Sequence, residues 1–286
     1  MLLHFDDEAP FAASLAQAAG LEPRQVRRHR FPDGELKLTL PVPLPSKVAV
    51  LRSLHHPNEK LVELVLLAGA ARALGVRHLT LVAPYLAYMR QDRAFHPGEA
   101  VSQTIVGGLL AERFDAVVTV DPHLHRVAAL EEAVPARRSV ALSAAGLIGA
   151  HFASRVPRPL LLGPDSESEQ WVKAAAGGQL DHAVCTKRRS GDHDVRIELP
   201  AVALRGRHVV LVDDMASTGG TLVECARRAL EAGAERVDAA VTHALLDAGA
   251  AARLAAAGIL ELVSTDTVPH PSNRIGVAGL LANALR

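Results

Sequence analysis

Two adjacent acids, Asp213 and Asp214, stand almost directly ahead of Ser217-Thr218-Gly219-Gly220-Thr221. Glycines let a backbone come close to a phosphate, and hydroxyls and N–H groups at a helix N-terminus point toward such an anion. Acids beside a phosphate are tolerable only if they hold something else, either sugar hydroxyls or a metal ion. A phosphorylated sugar satisfies both halves of the stretch. A plain strand–turn–helix with an acidic N-cap would explain the glycine turn by itself, but not the pair of acids in front of it.

Other polar islands carry compatible chemistry. Phe31-Pro-Asp33-Gly34-Glu35 is a turn signal on its own and reads as a hairpin tip before the alternating strand 36–40. Pro84-Tyr85 through Tyr88-Met-Arg90-Gln91-Asp92-Arg93 crowds aromatic and cationic groups, which suit an adenine ring and phosphate oxygens. Asp121-Pro-His123-Leu-His125 offers a carboxylate and imidazoles that suit Mg²⁺ or a triphosphate; zinc would want more nitrogen or sulfur ligands. Asp165 is equally a helix N-cap and a metal ligand, and Lys187-Arg188-Arg189 forms a cationic run suited to closing over a polyphosphate.

The elements that must hold these residues follow from hydrophobic patterning. Strands are predicted at 47–54, 78–85, 116–121, 160–163, 182–186, 208–212, 237–243 and 260–264. Helices are predicted at 8–19, 58–74, 102–114, 167–176, 221–232, 248–257 and 275–285. Such alternation argues for parallel sheets covered by helices, with a boundary near residue 145. Arg90, Asp121, Asp165, Lys187 and Asp213 all fall just past the carboxyl end of a predicted strand, where open α/β sheets bind ligands. Position alone therefore points to a nucleotide or sugar-phosphate enzyme.

Composition narrows the classes. The 286 residues carry 31 basic and 31 acidic side chains, so neither nucleic acid nor an anionic membrane is an expected partner. Two distant cysteines give no disulfide framework, no apolar run has the length of a membrane span, and the acidic start does not read as a signal peptide. A cytoplasmic location is the expectation.

Together, in order and spacing and over essentially the whole chain, these islands resemble the ribose-phosphate pyrophosphokinases (phosphoribosyl pyrophosphate synthetases). The stretch from Asp213 to Thr221 is similar to the phosphoribosyl pyrophosphate signature, which type I phosphoribosyltransferases share, whereas Phe-Pro-Asp-Gly-Glu and Arg-Gln-Asp-Arg belong to the synthetases. Ser217, the short segment 94–102 and Ser166-Glu-Ser-Glu169 mark a divergent member, closer to the archaeal-type enzymes.

The resemblance implies an α/β fold of two phosphoribosyltransferase-type (type I) domains, each a mainly parallel sheet with flanking helices. Residues 1–145 would form the ATP-side domain and 146–286 the domain carrying the ribose 5-phosphate loop. It implies transfer of the pyrophosphoryl group of ATP to the 1-hydroxyl of ribose 5-phosphate, with Mg²⁺, in a homo-oligomer built from dimers. Carried over by position, Phe31, Asp33, Gly34, Glu35, Arg90, Gln91, Asp92 and His123 would bind ATP. His123, Asp165 and Asp121 would bind metal, and Lys187 and Arg189 would act in catalysis. Arg189, Asp213, Asp214, Ser217, Thr218, Gly219, Gly220 and Thr221 would hold the sugar phosphate. Two alternatives stay open: a catalytically silent regulatory homologue, and a pyrophosphokinase for a different pentose phosphate.

Overall fold

The computed structural model describes residues 1–189 and 195–285, with Arg188, Arg189, Val195 and Arg196 described by backbone alone. The chain forms two compact units, residues 1–142 with 277–286, and residues 143–276.

In the first unit, β1 (Leu2–His4) leads through a 3-10 turn, Asp6–Glu8, into α1 (Ala9–Ala19) and then β2 (Pro23–Gln25). A two-stranded antiparallel hairpin follows, β3 (Arg27–Arg30) and β4 (Leu36–Thr39). Next come β5 (Lys47–Leu51), α2 (Pro57–Ala73), β6 (His78–Ala83), α3 (Ser102–Arg113), β7 (Ala116–Val120), α4 (Leu130–Ala133) and β8 (Arg138–Leu142). The six parallel strands lie in the order β2-β1-β5-β6-β7-β8.

The second unit begins with α5 (Ala145–Ala153), β9 (Leu160–Gly163), a 3-10 turn at Ser166–Ser168, α6 (Glu169–Ala176) and β10 (Asp181–Val184). Its antiparallel hairpin is β11 (Thr186–Arg189) with β12 (Val195–Glu198). Then come β13 (His208–Ala216), α7 (Gly220–Glu231), β14 (Arg236–Ala244), α8 (Ala250–Ala256), β15 (Ile259–Thr265) and β16 (Asn273–Ile275). The sheet order is β10-β9-β13-β14-β15-β16, again all parallel. The last helix, α9 (Ala278–Ala284), packs on α1, β7 and β8 of the first unit. Against expected boundaries of 1–145 and 146–286, the first unit thus gains the chain's final residues.

Each unit has the same plan: an inner strand, an outer strand beside it, a hairpin, then four strands laid down in succession on the other side. The sequence shows only loose similarity between the halves; the sheet order reveals the repeat. The central strands of the second unit are apolar over most of their length, as at residues 160–162 and 209–212, because both faces are covered. Val209 and Leu211 face the α7 side with Leu222, Cys225 and Ala229, while Val210 and Val212 face α5 and α6 with Ile148, Phe152, Trp171 and Val172. Helix α5, absent from the predicted elements, approaches α6 closely at Gly149, where an added Cβ would lie 1.9 Å from the Ala175 carbonyl oxygen.

Candidate functional site

Where a doubly wound sheet changes direction, the loops beyond two neighbouring strands part and leave a crevice. In the second unit that point lies between β9 and β13, whose carboxyl ends carry Asp165 and the Asp213–Asp214 pair. The strand expected to stop at residue 212 runs on to Ala216, so both acids belong to β13 itself, with Asp213 in register with Val241. Asp214 is buried and Asp213 half-buried. Burial pushes the Asp213 carboxyl well above the ordinary carboxylate range, and the negative charges of Asp214 and Asp165 push it the same way. Asp213 accepts the Asp214 N–H at 3.0 Å. Three acids gathered this way favour hydroxyl donors or a cation as their ligand.

Asp165 serves as the helix cap that its position offered. Its Oδ1 accepts the Glu167 N–H at 3.0 Å, and its own N–H donates to Ser168 Oγ at 3.5 Å, which closes a capping box; Ser168 Oγ also donates to the Asp165 carbonyl at 2.6 Å. Glu167 and Glu169 are exposed in the first turns that follow, where acids suit a helix N-terminus.

Beyond β13 the chain turns through Ser217 and Thr218 into Gly219, which caps α7 in the left-handed region (φ 74°). The first N–H groups of a helix have no partner within it and are aligned with its positive pole. The Gly220 N–H meets Thr218 Oγ1 at 3.4 Å. A turn with the geometry that suits an anion and a pair of acids thus meet within nine residues, Asp213 to Thr221. Lys187, expected on a loop, instead lies on β11, in register with Ile197 of the antiparallel hairpin, and is half-buried. The Arg189 side chain lies outside the described set.

In the first unit, the candidates follow β6 and β7. Asp121 is buried and takes a positive φ of 37°, and Tyr88 takes 65°; such strained backbone in residues other than glycine concentrates at ligand sites. His123 and His125 stack edge to face with ring centroids 3.7 Å apart. Arg90 is exposed. Gln91 donates to the Arg93 carbonyl at 3.0 Å and to Glu99 at 3.3 Å. Asp92 has both carboxylate oxygens bonded to Arg126 Nη1, at 2.8 and 2.9 Å, so it orders the loop. Gln103 ties that loop to α3 by donating to the Met89 carbonyl at 3.0 Å. The tip residues Phe31, Asp33, Gly34 and Glu35 are exposed between β3 and β4, with Lys37 Nζ 5.9 Å from the Phe31 ring centroid.

The first unit's own switch point, between β1 and β5, is filled differently. Arg52, 1% exposed, ion-pairs with Asp7, Glu8 and Glu63 and lies over the Phe5 ring at 4.5 Å. Arg28 and Lys60 join the wall of this cavity of about 560 Å³. An internal guanidinium occupies the centre of the acids here, as a ligand would occupy the second unit's. Sequence reading missed Arg52, just past the end of β5, and Arg126, in the loop beyond β7; nothing local marks the partner of either.

Among the described residues, no group of three or more His, Cys, Asp or Glu is arranged to hold a metal ion, and no helix is long and apolar enough to cross a membrane.

Comparison with known proteins agrees with this plan. Residues 1–113 match the model for the N-terminal domain of ribose phosphate pyrophosphokinase, and residues 199–282 match the phosphoribosyl synthetase-associated domain. The chain is 40% identical over 278 residues to a ribose-phosphate pyrophosphokinase of Methanopyrus kandleri, covering 95% of this chain and 93% of that one. It is 38% identical to ribose-phosphate pyrophosphokinase 2 of Archaeoglobus fulgidus, covering 95% and 94%. Among solved structures, the phosphoribosylpyrophosphate synthetase of Mycobacterium smegmatis superposes with a TM-score of 0.86 at 26% identity, covering 100% of this chain and 97% of the other.

Proposed function

This chain belongs to the ribose-phosphate pyrophosphokinase family, and on that premise we propose that it transfers the β,γ-pyrophosphoryl group of ATP to the 1-hydroxyl of ribose 5-phosphate. The products are AMP and 5-phosphoribosyl 1-pyrophosphate. The O1–Pβ bond forms as the bond between the α,β-bridging oxygen and Pβ breaks, and the 1-hydroxyl loses its proton.

One observation carries the choice of acceptor: a crowded acid pair and an anion-binding glycine turn at the end of a single strand, β13. A ligand with vicinal hydroxyls and a phosphate satisfies both. Asp213 and Asp214 accept from the ribose 2- and 3-hydroxyls, which relieves their mutual repulsion. Residues Ser217 to Thr221 receive the 5-phosphate on N–H and hydroxyl donors. Lys187 and Arg189 stabilise charge on the moving group, since phosphoryl transfer depends on positioning and charge neutralisation more than on covalent catalysis. In the first unit, Arg90, Gln91 and His123 bind the nucleotide, Asp92 orders their loop, and the exposed tip Phe31 to Glu35 contacts adenosine of a neighbouring copy in a homo-oligomer.

The donor set fits magnesium. Mg²⁺ takes hard oxygen ligands, usually one or two carboxylates together with substrate phosphates, so a preformed cage of protein side chains is not required. The charge gathered around Asp213 and Asp165 supports a cation in the second unit, with Asp165 as its ligand; in the first unit, taken by itself, Asp121 and His123 are the residues that would ligate a metal ion. When bound, Mg²⁺ neutralises phosphate charge and orients the phosphates.

The decisive experiment follows ³¹P resonances of the purified protein with Mg-ATP and ribose 5-phosphate. AMP and phosphoribosyl pyrophosphate should appear in equal amounts. ADP in place of AMP would mean single-phosphoryl transfer and overturn the reading.

A further inference from the structure

Three consecutive peptide groups in the β13–α7 turn have their carbonyls tied down on one side. The Ala216 carbonyl accepts the Leu245 N–H at 2.8 Å, and the Ser217 carbonyl accepts the Asp247 N–H at 3.3 Å. The Thr218 carbonyl accepts from Arg253, at 2.9 Å from Nη2 and 3.3 Å from Nε. In a trans peptide the C=O and the N–H of the next residue point in opposite directions. Anchoring these carbonyls therefore turns the N–H groups of Ser217, Thr218 and Gly219 away from residues 245–253, as a run of donors of the kind that binds anions.

The first two anchors are backbone groups that continue the β13–β14 pairing. The third depends on one exposed side chain, which an ion pair with Asp247 orients. Asp247 takes Arg253 Nη2 on both carboxylate oxygens, at 2.8 and 2.7 Å, while its Oδ1 also accepts the Gly249 N–H at 2.9 Å. Gly249 leaves room for the guanidinium, since a Cβ there would lie 2.7 Å from Arg253 Nη1. The neighbouring Leu254 supports Gly219 from behind, with Cδ2 3.2 Å from where a Cβ would stand.

We infer that Arg253, fixed by Asp247, is a positioning residue for the sugar-phosphate site: by holding the Thr218 carbonyl it aims the Gly219 N–H at the 5-phosphate. This rests on the reading of the turn as the ribose 5-phosphate loop. Arg253 touches no substrate in this account and acts only through the peptide it orients.

The test compares wild type with Arg253→Ala, Arg253→Lys and Asp247→Asn, measuring KM for ribose 5-phosphate and for ATP, kcat and Tm. Calorimetric titration with ribose 5-phosphate is run in parallel. One misdirected N–H on a phosphate should raise KM and Kd for ribose 5-phosphate about 10- to 100-fold in Arg253→Ala, with KM for ATP and Tm unchanged. Arg253→Lys, which keeps one donor, should recover part of the loss. Asp247→Asn, which loosens the guanidinium without removing it, should give a smaller loss in the same parameter. Wild-type affinity for ribose 5-phosphate in Arg253→Ala would overturn the inference and leave the proposed function standing. Equal losses in both KM values together with a lowered Tm, repeated in Asp247→Asn, would reduce Arg253 to a structural role. If wild type itself neither bound nor turned over ribose 5-phosphate, the functional reading would fall, and this inference with it.

Discussion

Gly219→Ala puts the turn to a quantitative test. Gly219 sits at φ 74°, ψ 5°, in the left-handed region, where a residue with a Cβ is disfavoured by about 1–2 kcal/mol. The new methyl would also approach Leu254 Cδ2 at 3.2 Å, but that is the end of a flexible side chain and can yield. The strain is local, so the free loop relaxes into other conformations and the ligand must restore the competent one. At about 1.4 kcal/mol per decade, 1–2 kcal/mol corresponds to roughly a 5- to 30-fold rise in KM for ribose 5-phosphate. KM for ATP should stay within about twofold, because the change touches only this turn. The assay is initial-rate kinetics with each substrate varied at saturating levels of the other. Unchanged KM for ribose 5-phosphate would refute the idea that a left-handed Gly219 shapes the phosphate site. An equal rise for ATP would refute the division of substrates between the two sets of residues.

Lys187→Ala should lower kcat by several orders of magnitude and leave KM for ATP near its starting value; a parallel loss in ATP binding would show that Lys187 merely holds substrate. Gly149→Ala drives a methyl to 1.9 Å from the Ala175 carbonyl, so α5 and α6 must part. The expected destabilisation of about 1–3 kcal/mol should appear in calorimetry as a Tm lower by roughly 2–12 °C, and an unchanged Tm would disprove the close approach. His55 is held down to about 4, first by burial and then by the positive charge of Lys60, with His56 and Arg52 adding to it and Asp7 opposing. The unfolded chain, at the ordinary value of 6.5, binds the proton first, so His55 contributes stability above pH 6.5 that is lost as pH falls from 6.5 to 4. Tm should therefore decline less over that interval in His55→Gln than in wild type, and superimposable profiles would rule out the assignment.

The local pattern of the chain determined most of its elements and the chemistry at their ends. Central strands such as His208–Ala216 and Arg236–Ala244 are legible because burial on both faces demands mainly apolar segments, such as residues 209–212 and 239–241. Asp213 to Thr221 is legible because acids, glycines and hydroxyls at that spacing have few other uses. Elements whose support comes from elsewhere escaped notice. Pro23–Gln25 is fully exposed at a sheet edge, and Ala145–Ala153 carries two glycines that lower helix propensity yet permit its contact with α6. The final helix lies in sequence beside the second unit but packs with the first.

Only the tertiary structure decided which polar residues meet. Strand order makes β9 the neighbour of β13 and so brings the Asp165 charge to bear on Asp213, 48 residues further along the chain. It also places Arg52 at the corresponding point of the first unit, where an internal guanidinium fills the space between acids. Arg253 is 35 residues from the carbonyl it holds. Hydrophobic periodicity is a property of neighbours along the chain and can be read from it directly; a hydrogen bond between distant residues depends on sheet order and helix placement, which no single segment encodes.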